Sequence, residues 1–224
     1  MYYYYLLYML PALILTMAAQ FFVKSTYKKY SSVASSRGLT GAECARRVLE
    51  ASGCSGVQID MIQGNLSDNY DPRSNTIHLS QQVYSSQSVA ALGVAAHEAG
   101  HAVQYAKGYA PVKLRTVIYP ACSFGSRCAM YLLLIGAFAA IPVLYYAGIG
   151  AFMLAALFQL VTLPVEFNAS RRAISALDKE SILTGEELSG AKKVLTAAAM
   201  TYIAALFVSF LQIVYLLSRT GNRR

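Results

Sequence analysis

A chain of 224 residues that is 56% hydrophobic and only 13% charged is too apolar for an ordinary soluble domain. It reads instead as a membrane protein with one modest aqueous region. The net charge of +8 does not indicate nucleic acid, because the basic residues sit beside apolar stretches ("KSTYKKY", "SRR", "AKK") with no interleaved aromatic stripe.

The first block able to cross a bilayer, which needs about 20 mostly apolar residues, is Tyr2 to Val23, "YYYYLLYMLPALILTMAAQFFV". It carries no early charge and no A-x-A cleavage site, so it reads as an anchor rather than a signal peptide, with the tyrosines as an interfacial aromatic belt. Residues 24–116 follow as the aqueous α+β region. "LTGAECARRVLEAS" is a short helix opened by a capping box of Thr40 and Glu43. "GVQIDMI" alternates as a strand, and "SDNYDPRSNTIHLS" is a turn at Asp71-Pro72 followed by a second strand through Thr76 and Leu79. The four cysteines, Cys44 and Cys54 here and Cys122 and Cys128 beyond, form no CxxC pair. They read as reduced thiols, not as a disulfide framework or a thiolate zinc site.

Serines 85, 86 and 88 offer N-caps for a helix that runs to Gly108 and carries HEAGH, residues 97–101. On a helix, i and i+4 share a face, so His97 and His101 can offer nitrogens to one ion. Glu98, rotated by about 100°, stands beside that ion, where a carboxylate can take a proton from a bound water. Zinc lowers the pKa of such a water from about 15.7 to about 7, which is the logic of H-E-x-x-H metallopeptidases. The alternative is two helix histidines beside a surface acid. Alanine or glycine at 95, 96, 99, 100 and 102 favours the metal, since small residues allow close packing and leave room above an ion.

Residues 117–165 are too long for one span and read as a membrane hairpin, with Gly148 and Gly150 as its turn. Residues 166–195 form a second aqueous, helical segment, 196–218 the fourth span and 219–224 a tail. Four spans put both ends of the chain on one side. The Lys/Arg-rich 24–116 and 166–195 then belong in the cytoplasm of a multi-pass protein of the plasma (inner) membrane, with Arg219, Arg223 and Arg224 running against that orientation.

An open catalytic zinc takes three protein ligands. The candidates for the third are His78, Glu166, Asp60, Asp68 and Asp71. Glu166 is the strongest, because an acid just past Pro164 at the end of a span is costly unless paired or ligated. Its plainer role is an ion pair with Arg171 or Arg172.

Together the first span, "DNYDPRSNTIHLS", "AAHEAGHAVQ" and "LPVEFNASRRA" resemble the YugP-type membrane zinc metallopeptidases, distant relatives of the HtpX-type proteases, over nearly the whole chain. The resemblance implies zinc (Zn2+) held by His97, His101 and Glu166, with Glu98 as general base and acid. HtpX-type enzymes carry E-x-x-A-D, whose aspartate supports a histidine ligand. Here Ser170 stands at that place, so Asn168, Ser170 or Asp178 are the candidates for the role. The resemblance also suggests residues 74–80 as an edge strand for an extended substrate; their plainer role is to complete a small sheet. An oxyanion stabiliser is also needed, with Arg171, Arg172, Tyr70 and His78 as the candidates.

The expected fold is predominantly α: an integral membrane protein with about four transmembrane helices and a small α+β zincin-like (minimal gluzincin) region. The expected function is a membrane-embedded zinc metalloendopeptidase cleaving membrane or misfolded proteins at the membrane face. The alternative is a membrane scaffold or assembly partner with a structural zinc closed by His78 as fourth ligand. The partners expected are a polypeptide substrate and the lipid bilayer, with a membrane protein or a second copy of the chain as further candidates, and no nucleic acid.

Overall fold

The computed structural model describes residues 2–65 and 67–221, and side chains from Leu7 to Arg219 other than position 66. The side chains of the tyrosine belt at 2–5, and Arg223 and Arg224, lie outside the described residues. In chain order the elements are α1 (Tyr2–Ser31), α2 (Gly41–Ala51), β1 (Gln58–Ile62), β2 (Asn69–Asp71), β3 (Thr76–Ser80), α3 (Gln81–Tyr84), α4 (Val89–Ala106), α5 (Ala110–Phe138), α6 (Pro142–Lys179) and α7 (Gly185–Gly221). Helices α1, α5, α6 and α7 are long and apolar enough to cross a membrane, as expected of a predominantly α membrane protein.

The chain divides into two compact units: Met1–Gln20, Lys113–Pro164 and Met200–Arg224 form one, Phe21–Val112 and Val165–Ala199 the other. In the first, the break between α5 and α6 falls at residues 139–141, with Ala140 at φ 54°, and not at Gly148 and Gly150. Gly148 lies inside α6, where a Cβ would strike the backbone nitrogen of Leu133 on α5, and Gly136 of α5 faces the backbone of Tyr145. The glycine thus serves helix–helix approach, the usual task of small residues between membrane helices.

The second unit holds the sheet. Thr40 Oγ1 accepts from the Glu43 N–H and Glu43 accepts from the Thr40 N–H, so the capping box starts α2 as read from the sequence. Helix α2 turns Cys44, Ala45, Val48 and Leu49 inward, and the Cys44 thiol is pushed up by burial to about 12, which makes it inert. The strand order is β1-β3-β2, with β1 parallel and β2 antiparallel to β3.

Strand β3 is therefore central, which corrects the edge reading of residues 74–80. Asp71 accepts from the Arg73 N–H, and Asn75 takes φ 53°, a left-handed conformation that asparagine tolerates. This tight return folds Asn69–Asp71 back along β3, and beyond it Asp68 accepts from the Ser80 N–H at 2.7 Å. The free edge next to α4 belongs to β2, which packs on that helix.

The core joins α2, β3 and α4 to residues from the second stretch of the unit: Ala173, Leu177, Ile182, Leu183, Ala191 and Leu195 are buried with Leu49, Ile77, Leu79 and Leu92. Residues 24–116 would be few for a core of their own. The segment after Val165 completes it.

Candidate metal centre

Helix α4 starts at Ser88, whose hydroxyl accepts from the Ala91 N–H, and is buried on nearly every side. Gly93 meets Ala191, and a Cβ on Gly100 would lie 2.7 Å from the carbonyl oxygen of Ala169 on α6. That contact sets Glu166, one turn before Ala169, against the motif histidines.

Three ligand atoms converge there. Glu166 Oε2 lies 3.3 Å from His97 Nε2 and 3.6 Å from His101 Nε2, and the set falls within 4.8 Å. Bonds of about 2.0–2.2 Å in a tetrahedron imply ligand–ligand edges of about 3.4 Å, so these separations suit zinc. The imidazoles stand edge-to-face, 4.7 Å between centroids at 84°.

Hydrogen bonding orients both rings. Gln104, fully buried, donates from Nε2 to the Val165 carbonyl at 2.8 Å and to Asn168 Oδ1 at 3.0 Å. Because a backbone carbonyl only accepts, the amide orientation is settled and Oε1 faces His101 Nδ1 at 3.1 Å. Nδ1 must then carry the proton, which leaves the Nε2 lone pair aimed at Glu166. His97 Nδ1 is held by Ser170 Oγ at 3.1 Å. Asn168 Oδ1 also accepts from Arg172 Nε at 2.7 Å, and the Arg172 guanidinium lies over the Tyr109 ring.

Glu98 is buried and follows His97 on the same helix. Burial raises its carboxyl above the usual range, against the pull of His101 and His97. Burial alone would lower the pKa of His101, yet the carboxylates of Glu166 and Glu98 outweigh it and raise it. Charges that favour a proton at that point also favour a metal cation.

The remaining candidates are dispersed. His78 sits between Asp60 and Asn69 in the sheet, and its buried Nδ1 has no hydrogen-bond partner among the described residues. It is not part of the three-ligand group. The Tyr70 hydroxyl donates to Asn75 Oδ1 at 2.9 Å, while its ring packs on Tyr105. Asp60, Asp68 and Asp71 stand outside the group, and Arg171 and Asp178 are exposed on a neighbouring cleft.

Gln104 was not among the residues singled out in the sequence. Its signal was present all the same: a lone amide three residues after His101 in an alanine-rich helix. Removing it with Gln104→Leu should weaken zinc binding by roughly 10–100-fold, the usual cost of losing a partner of a metal-bound histidine. Competition with a zinc chelator would measure this, and unchanged affinity would refute the tautomer argument.

The chain resembles known proteins over almost all of its length. The family model described as "Putative neutral zinc metallopeptidase" matches residues 5–221. The "Putative membrane protease YugP" of Bacillus subtilis (strain 168) is 44% identical over 204 residues, 91% of each chain. No solved structure matches. With its His-His-Glu group and four apolar helices already in view, the chain belongs to this family of membrane zinc metallopeptidases.

Proposed function

We propose that the chain is a zinc metalloendopeptidase of the plasma (inner) membrane that hydrolyses peptide bonds of membrane or misfolded proteins at the cytoplasmic face. His97, His101 and Glu166 hold the zinc and Glu98 is the catalytic acid–base. The observation that carries this reading is the convergence of three ligand atoms with both Nδ1 atoms engaged elsewhere. Spans at 1–23, 117–165 and 196–218 leave 24–116 and 166–195 in water, and Glu166 immediately follows the apolar run of its own helix.

Zinc bound there supplies Lewis-acid polarisation of a carbonyl and a nucleophilic water at neutral pH. Glu98 accepts the proton of the attacking water and returns it to the leaving amine. An extended polypeptide adds to the outer edge of β2 by main-chain hydrogen bonds. Of the oxyanion candidates, Arg172 has the best support, since it is tied through Asn168 and Gln104 to His101.

The scaffold reading needs a closed site with His78 as a fourth ligand, and the grouping of three ligands without His78 favours an open one. The test uses the full chain in detergent micelles with an unfolded polypeptide substrate. Chelation is expected to remove zinc and hydrolysis together, and about one equivalent of zinc should restore both. Hydrolysis that survives complete metal removal would refute the proposal.

A further inference from the structure

A cleft of about 540 Å³ opens between α6 and α7 within the second unit, and its lining includes Phe167, Arg171, Asp178, Lys192, Leu195 and Ala199. These side chains follow an order along their own helices. Phe167 and Ala199 lie nearest the apolar runs, Arg171 and Lys192 about one and two turns further out, and Asp178 at the far end. Among the described residues, neither Arg171 nor Lys192 has a carboxylate within ion-pairing distance. Two cations and one acid leave the cleft with one net positive charge.

An apolar base, then cations, then an acid is the order in which a phospholipid presents its acyl chain, its phosphodiester and a hydroxyl-bearing headgroup. A smaller cleft of about 290 Å³ repeats the first two steps, with Phe22 and then Lys29 on α1 opposite Lys193 on α7. Adjacent lysines of α7 thus serve two clefts of the same grading.

We propose that the α6–α7 cleft binds an anionic phospholipid. Arg171 and Lys192 hold the phosphodiester, Phe167, Leu195 and Ala199 pack on the acyl chain, and Asp178 accepts a hydrogen bond from a headgroup hydroxyl. A single phosphodiester neutralises the cleft's net charge, which favours phosphatidylglycerol over a zwitterionic lipid. The site stands apart from the peptidase reading, although its lining shares Ser170, the partner of His97.

The test is lipid retention by the full chain, followed by native mass spectrometry from detergent with phosphatidylglycerol, phosphatidylethanolamine or phosphatidylcholine added. The wild type should retain phosphatidylglycerol preferentially. The double variant Arg171→Gln/Lys192→Gln should bind it at least about tenfold more weakly, since each cation near a lipid phosphate contributes on the order of 1 kcal/mol. The charge-matched control Arg37→Gln/Arg73→Gln should bind like wild type. Asp178→Asn keeps an acceptor oxygen for the headgroup hydroxyl and removes the charge that repels the anionic lipid, so it should bind more tightly, an opposite sign that misfolding would not produce. Unchanged retention in the double variant, equal retention of all three lipids, or displacement by an unfolded acidic polypeptide would each overturn the assignment.

Discussion

Glu98→Gln is expected to reduce turnover of an unfolded polypeptide by roughly 10²- to 10⁴-fold, the usual contribution of a general acid–base group, with zinc content unchanged. Glutamine keeps the volume and hydrogen-bonding capacity of the side chain in a buried position but cannot accept the proton. Glu98 is absent from the group of converging ligand atoms, so its replacement should leave the metal in place. Steady-state kinetics and elemental analysis on the same preparation measure the two effects separately. Turnover equal to wild type would remove Glu98 from the mechanism, and loss of zinc would make it a ligand.

The second large effect concerns metal content. Glu166→Ala should lower zinc affinity by more than about 100-fold, beyond the roughly 10–100-fold cost of losing a supporting hydrogen bond, and leave the purified chain nearly metal-free. The carboxylate is the one ligand that comes from α6, and from a buried place it brings the only negative charge to the three-ligand group. His78→Ala should keep a full complement of zinc, because His78 stands outside the ligand group. Loss in both variants would favour a closed structural site, and retention in Glu166→Ala would remove that residue from the ligand set.

The sequence determined whatever is encoded within one helix or one short stretch of chain. The spacing of His97 and His101, the capping box at Thr40 and Glu43, and the apolar runs of the four long helices depend on local periodicity alone, and each was legible. The small residues around HEAGH also announced close packing, which Gly100 makes against Ala169. Glu166 could be picked out because an acid at the end of an apolar run is costly without a partner.

Tertiary packing decided what depends on segments far apart in the chain. Gln104 acquires its role only when α6 delivers the Val165 carbonyl, 61 residues away, and Ser170 meets His97 across 73 residues. The turn chemistry at Asp71 was visible, but not that Asn69–Asp71 would pair with β3 and take over the sheet edge. Gly148 resembled a turn until the partner helix was present to need its missing side chain. Residues 166–195 gave no local sign that they complete the core, because an alternating or helical pattern shows which face is apolar and not what will cover it. The metal chemistry is local and readable, whereas the hydrogen bonds that orient its ligands exist only after the chain has folded.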